Sequence, residues 1–115
     1  MQYMLLIYTD PSAMASASQD DRQAMTAEYM KFTEDLRGSG AMVAGDELKP
    51  ATTAKTVTVQ NGDRLITDGP FAETKETLGG YYLVEADSEE KALEWAAKIP
   101  GARHGKIEVR EVVQH

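Results

Sequence analysis

The sequence predicts an α+β fold in which two helices cover one face of an antiparallel sheet. Three observations predict it. Apolar runs and periodicities along the 115 residues follow the order strand, helix, strand, hairpin, strand, helix, strand. Two helices can cover only one face of such a sheet. The length of the chain fits one domain, residues 1–115. Two of the predicted strands are apolar on both sides, so the sheet face without helices is also expected to be apolar.

The first strand is predicted over residues 2–8. This stretch, QYMLLIY, is an almost unbroken apolar run, too short for a helix and rich in strand formers. Asp10-Pro11 ends it. Because residues 11–19 are small and polar, we expect a loop there.

The first helix is predicted from about Gln19 to Arg37. Ser18 is its expected N-cap, and acidic residues follow in the first turn, where they suit the positive end of a helix. Gly38 and Gly40 are expected to end it. One apolar stripe at helical spacing is predicted to face the core: Met25, Tyr29, Phe32 and Leu36.

A β-hairpin is the clearest local prediction. A short strand over 41–44 and a loop over 45–50 lead into the runs KTVTVQ and DRLITD, which flank Asn61-Gly62. This pair is preferred in two-residue type I′ turns. One face of the hairpin is then predicted to carry Val57, Val59, Arg64 and Ile66, and the other Thr56, Thr58, Leu65 and Thr67.

The second half of the chain repeats strand, helix, strand. A polar loop over 72–77 precedes a strand predicted over 78–86, where Gly79-Gly80 indicates a bulge or a close backbone approach. Asp87 is the expected N-cap of a helix that runs to about Ile99, and a last strand is predicted over 105–113. The buried stripe of this helix is expected to be Ala92, Trp95, Ala96 and Ile99.

Without the hairpin, the order β-α-β-β-α-β is that of a ferredoxin-like fold. Residues 4–7 and 81–84 are apolar on both sides, so the sheet face opposite the helices also needs cover. A second copy of the same face provides it most simply, which predicts a symmetric homodimer, sheet against sheet. The alternative is that the hairpin or the loops fold over that face.

The last predicted strand also places side chains on the sheet face opposite the helices. If Ile107 and Val109 face the helices, Glu108 and Arg110 point towards the face expected to be covered. Charges there need partners, or a cleft that holds water or a ligand. In the alternative, this is an edge strand whose outer side chains reach solvent.

Composition excludes several function classes. The net charge of −7 disfavours binding to the phosphate backbone of nucleic acids. No apolar run approaches a membrane span, and no leader pattern opens the chain, so we expect no membrane association. Absence of cysteine excludes disulfides and thiolate sites and fits a cytoplasmic protein. No metal-binding spacing or phosphate-binding glycine motif is present, and no metal or cofactor is expected.

Asp68 is the candidate catalytic residue. A carboxylate held by the rigid turn Gly69-Pro70 could act as a base or bind a donor group. In the alternative, Asp68 has a structural role, because Asp is a common turn residue that bonds nearby backbone N–H groups. Phe71 is expected to anchor the loop or to contact a ligand, and Lys75 to be solvated or to attract an anionic substrate.

His104 is the other acid–base candidate, since it is the only internal group expected to titrate near neutral pH. It is either an exposed loop histidine or a partner of Asp68, within one chain or across a dimer. Tyr8 and Tyr82 could offer hydroxyls to a pocket, or simply pack. The candidate ligand-binding residues are therefore Tyr8, Gly69, Pro70, Phe71, Lys75, Tyr82, Glu108 and Arg110.

A family resemblance rests on the segment DGPFAETKE at 68–76, followed by LGGYY at 78–82. Together with YMLLIY at 3–8 and GKIEVR at 105–110, it resembles the DGPF-type branch of the YCII-related proteins. That resemblance covers essentially the whole chain. It implies a ferredoxin-like fold that forms a dimeric α/β barrel, and a small bacterial cytoplasmic protein.

For function, the resemblance implies two alternatives. A few members of the wider family are enzymes, one of them a dehydrochlorinase acting on a chlorinated hydroquinone. They are thought to use a His–Asp pair with the histidine on the first helix. Asp68 matches the motif, whereas the first helix carries no histidine. The first alternative is a small-molecule cleft near the dimer seam with lyase- or hydrolase-like acid–base chemistry. The second is a non-catalytic interaction module, because some relatives are fused to, or neighbours of, sigma factors.

Overall fold

Four strands of the computed structural model, which describes residues 1–115, pair into one antiparallel sheet. They are β1 (Gln2–Thr9), β2 (Met42–Glu47), β5 (Thr77–Glu85) and β6 (Lys106–Glu111), in the order β2-β5-β1-β6. The remaining strands, β3 (Lys55–Gln60) and β4 (Asp63–Asp68), form a separate hairpin. The predicted α+β class is confirmed. One chain forms an open sheet and no closed barrel.

The core lies between this sheet and two helices, α2 (Gln19–Ser39) and α3 (Glu89–Lys98). The Phe32 ring of α2 meets Tyr82 of β5 and Trp95 of α3 edge-on, with centroid distances of 5.1 and 6.1 Å. The second predicted stripe faces this core, and so do Tyr29, Phe32 and Leu36 of the first, whereas Met25 does not belong to it. The buried residues are Tyr3, Leu5, Ile7, Phe32, Leu36, Tyr82, Val84, Ala86, Ala92, Ala96 and Ile99. No helix of the chain has the length and apolar character that crossing a membrane requires.

The caps confirm one helix start and correct the other. The Ser18 hydroxyl accepts a hydrogen bond from the backbone N–H of Asp21 at 3.0 Å, so the N-cap predicted for α2 is right. At α3 the predicted N-cap Asp87 is wrong. Ser88 caps this helix instead, because its hydroxyl accepts from the N–H of Lys91 at 3.2 Å.

The loop predicted over 11–19 is also corrected, because it contains a short helix, α1 (Pro11–Ser16). The Asp10 carboxylate caps this helix by accepting from the backbone N–H of Ser12 at 2.9 Å and from its hydroxyl at 2.7 Å. These hydrogen bonds lower the pKa of Asp10. Asp10-Pro11, interpreted above only as a strand breaker, is therefore a helix start with proline in the first turn.

The face of the sheet opposite the helices, here called the open face, is apolar at its centre. On the paired central strands, Met4 lies opposite Leu83 and Leu6 opposite Tyr81, and all four are half-buried. In the pairing of β1 with β6, Arg110 lies opposite Met4 and Glu108 opposite Leu6. Arg110 and Glu108 therefore lie on the open face as well. β6 is an edge strand, as one of the two interpretations above required.

The hairpin of residues 55–68, here called the arm, has the predicted turn and register. Asn61 and Gly62 both have positive φ, +51° and +82°, as a type I′ turn requires. Val57 pairs with Ile66 and Val59 with Arg64, which confirms the predicted faces. All arm residues except the half-buried Thr56 are exposed, so the arm does not fold over the open face. A radius of gyration of 16.1 Å, against about 13 Å for a globule of this length, fits a projecting arm.

Candidate functional site

An open cleft of about 540 Å³ lies at the end of the sheet where β1 ends and β6 begins. Its apolar walls are the Tyr8 ring and Ile107, and its other lining residues are polar or charged. The cleft brings together three of the predicted ligand-binding residues: Tyr8, Lys75 and Glu108. The remaining lining residues are Thr74, Glu76, Lys106 and Ile107.

Two glycines shape the backbone around Tyr8. The register of β1 with β5 shifts here, since Ile7 faces Gly80 and Tyr8 faces Leu78, which leaves Gly79 as the extra residue of a bulge. The bulge predicted from Gly79-Gly80 is thus confirmed. On the other side, a Cβ at Gly105 would lie 2.1 Å from the carbonyl oxygen of Tyr8. Only glycine lets the chain enter β6 this close to the cleft wall.

Charge in the cleft is largely, but not fully, paired. The Lys106 ammonium binds Glu76, and the Arg110 guanidinium donates to Glu108 at 2.6 Å. That hydrogen bond raises the pKa of Arg110. Lys75 has no ion-pair partner within the chain, although its charge helps to lower the pKa of Asp10. The cleft is therefore lined by one lysine without an ion-pair partner and by one aromatic residue, Tyr8. No group of three or more His, Asp or Glu side chains is arranged to hold a metal ion.

Asp68 lies elsewhere, at the base of the arm. Its carboxylate is 84% exposed and pairs with Lys55, its register partner across the hairpin. Gly69 has φ +90°, and its N–H donates to the carbonyl of Ala54 at 2.7 Å, which closes the arm. Within one chain, Asp68 and Gly69 thus occupy a well-bonded turn and do not line the cleft.

The rest of the DGPF segment is exposed. Pro70 follows the turn, and the Phe71 side chain is 90% exposed. The expectation that Phe71 anchors its loop in apolar surroundings is therefore wrong for the single chain. Residues 74–76 of the same loop then line the cleft.

Tyr82 and His104 are also outside the cleft. Tyr82 is buried beneath α2, on the opposite face of the sheet from Tyr8, and its hydroxyl lies 2.7 Å from that of Thr33. The side chain of His104 is exposed at the end of the 3₁₀ turn Pro100–Arg103. Asp68 and His104 share no hydrogen bond within one chain.

Lys106 and Glu76 are cleft residues that sequence reasoning missed. The signal for Lys106 was present, because the alternation that placed Glu108 and Arg110 on the open face extends to it, and it pairs with Tyr8. Glu76 carries no such signal. It reaches the cleft because the chain after the arm passes the start of β6. There the Glu76 carboxylate accepts a hydrogen bond from Lys106, which lies 30 residues later in the sequence.

Comparison with known proteins decides the family. A family model described as YCII-related domain matches residues 1–115. The chain belongs to the YCII-related family. This YCII-related protein is 32% identical over 112 residues to an uncharacterised protein of Rhizobium meliloti (strain 1021), covering 96% of this chain and 90% of the relative. The predicted family is confirmed, while its DGPF branch stays a prediction.

A solved structure shares the fold of the YCII-related chain. It is the 5-chloro-2-hydroxyhydroquinone dehydrochlorinase of Burkholderia phenoliruptrix AC1100, in complex with 2,5-dihydroxybenzoquinone. The TM-score is 0.60 at 14% sequence identity, and the match covers 100% of this chain and 96% of the other. At this identity the similarity is one of fold.

Proposed function

We propose that this protein binds a small organic anion in the cleft beside Tyr8 and performs acid–base chemistry of the lyase type on it. One observation carries the proposal: Lys75, which forms no ion pair within the chain, lines the same cleft as Tyr8 and Ile107. An aromatic wall offers a stacking surface, and a cation without a partner favours a negatively charged ligand. A flat, acidic ring compound meets both requirements.

The chemistry proposed is an elimination. A carboxylate removes a proton from the substrate, and a leaving group departs from the adjacent carbon with its electron pair as the new double bond forms. We assign this role to Glu108, a carboxylate of the cleft, with Arg110, bonded to it at 2.6 Å, as its positioning partner. The dehydrochlorinase of the same fold supports this class of reaction for a chlorinated hydroquinone.

The proposal includes a symmetric homodimer built sheet against sheet, the dimeric α/β barrel of the resemblance. Its support is the open face, where four half-buried apolar side chains lack cover from any element of their own chain. Asp68 stays in the proposal as an acid–base candidate. Since it does not line the cleft of its own chain, it would reach a cleft only from the second copy, and the same holds for a pair with His104.

A second candidate function is the non-catalytic interaction module. The observation that favours it is Phe71, a large apolar side chain that is 90% exposed in a surface segment. In that case the cleft binds no small molecule. Substitution of Phe71 then affects binding to a protein partner of the transcription machinery.

The test uses 2,5-dihydroxybenzoquinone as the probe, because it is acidic and flat, with hydroquinone as the uncharged comparison compound. Amide chemical shifts are followed during titration. We expect the anion to shift residues 74–76 and 106–108, and Lys75→Met to weaken its binding at least about tenfold through loss of a charge-assisted contact. The matched control is Lys49→Met, which removes an exposed lysine outside the cleft. Shifts elsewhere, or equal binding by both variants, would overturn the proposal.

A further inference from the structure

The arm carries an apolar surface that its own chain leaves uncovered. Val57, Val59 and Ile66 lie on one face, with exposed fractions of 55%, 68% and 54%. An isolated two-stranded hairpin is marginally stable in water, since it buries too little apolar surface. A face of three β-branched side chains on such a hairpin therefore indicates a surface that packs in the assembled protein.

The charges of this face point to what it packs against. Lys55 and Asp68 neutralise each other, whereas Arg64, level with Val59, forms no ion pair within the chain. The face is thus apolar and carries one free positive charge, on a molecule whose net charge is −7. Its complement is an apolar surface with one free carboxylate.

The open face is such a surface. The charged groups carried by its strands on that face pair as Lys106 with Glu76, Arg110 with Glu108 and Glu85 with the N-terminus. The exception among these strand residues is Asp46 on the edge strand β2, which forms no ion pair within the chain. Its carboxylate accepts a hydrogen bond from the Tyr81 hydroxyl at 2.8 Å, which holds it at the rim of the apolar centre.

We infer that the arm of each protomer docks on the β2 rim of a second copy, with Val57, Val59 and Ile66 on the apolar surface and Arg64 facing the second copy's Asp46. Asp46 is the penultimate residue of β2, and residues 48–54 lead from the end of that strand to the base of the arm. Six residue pairs carry the arm about 20 Å beyond that point. A two-fold axis at this end of the sheet therefore lets both arms cross and form the same contact twice.

This inference rests on the homodimer of the proposed function and adds the arm to it. It is tested by charge reversal, with association measured by sedimentation equilibrium and native mass spectrometry. Arg64→Asp places Asp opposite Asp46, and Asp46→Arg places Arg opposite Arg64. Each variant alone should dimerise at least about tenfold more weakly, because two like-charge contacts form per dimer. Lys31→Asp, which makes the same charge change on α2, is the matched control and should dimerise like the wild type.

Mixing is the decisive step. In an equimolar mixture of Arg64→Asp and Asp46→Arg chains, each contact again joins opposite charges, so the mixed dimer should form with close to wild-type affinity. Its mass identifies it directly, and rescue requires that both chains are folded. Failure of the mixture to associate, or unchanged dimerisation of Arg64→Asp, would overturn the inference.

The sheet-to-sheet dimer is tested separately with Leu83→Arg at the centre of the open face. If Leu83→Arg separates the protomers while Arg64→Asp does not, the homodimer stands and the role of the arm is refuted. A wild-type chain that is monomeric at all concentrations refutes both.

Discussion

The phenolic oxygen of Tyr29 accepts a hydrogen bond from the backbone N–H of Gly101 at 3.1 Å and so ties α2 to the turn after α3. Gly101 is buried, and a Cβ there would lie 2.5 Å from this oxygen and 3.2 Å from a methyl group of Ile7. Gly101→Ala should therefore lower the free energy of unfolding by about 1–3 kcal/mol, as overpacked cores do. Urea denaturation measures it.

Gly38→Ala is the matched control for that substitution. Gly38 lies inside α2, and a Cβ there has nothing within 4 Å. Alanine should raise the free energy of unfolding by roughly 0.5–1 kcal/mol, because glycine is the poorer helix former. Equal effects of the two substitutions would contradict the tight contact inferred at Gly101.

The same tyrosine predicts a loss of stability in alkali. Burial raises the pKa of Tyr29 above its usual value of 10.0. The unfolded chain therefore loses this proton first, so the stability that Tyr29 contributes is complete below pH 10.0 and declines as the pH rises towards the folded pKa. Tyr29→Phe should unfold more easily at neutral pH, by about 1 kcal/mol for the lost hydrogen bond.

Above pH 10.0 the decline in stability of Tyr29→Phe should be shallower than that of the wild type. A residual decline remains, since burial also raises the pKa of Tyr3. Urea denaturation at neutral and alkaline pH gives both slopes. Parallel slopes would show that Tyr29 ionises as freely in the folded chain as in the unfolded one.

The N-cap of α3 gives a prediction about stability, and the neighbouring Asp87 provides the control. Ser88→Ala should lower the free energy of unfolding by about 1 kcal/mol, because it removes the hydroxyl that accepts from the N–H of Lys91. Asp87→Ala removes no cap and should have the smaller effect. Thermal unfolding of both variants compares them, and the reverse ranking would restore Asp87 as the N-cap.

These caps show what local sequence can and cannot predict. Asn61-Gly62 determined the hairpin and its register, because few residue pairs tolerate positive φ at both turn positions. Asp87-Ser88 offers two residues able to cap, and the choice depends on which backbone is extended in the fold. Asp10-Pro11 likewise suits a strand end and a helix start, so α1 was missed.

Some residues of the candidate site could also be predicted from the sequence, and others could not. Tyr8 and Glu108 could be placed by the alternation of their strands, since a side chain's face follows from its position in the sequence. Glu76 could not, because its place in the cleft depends on the path of the chain after the arm. Asp68 stood out through its motif, yet the motif describes a turn and not the neighbours of the carboxylate.

Asp68→Asn separates the two roles considered for this residue. The Lys55–Asp68 pair is exposed, so the free energy of unfolding should change by less than about 1 kcal/mol. A change in ligand binding therefore reports on the site and not on folding. If Asp68 reaches the second copy's cleft, Asp68→Asn should weaken binding of 2,5-dihydroxybenzoquinone. Lys55→Met, which breaks the same pair from the other side, should leave that binding unchanged. Unchanged binding by both variants would limit Asp68 to closing the turn at the base of the arm.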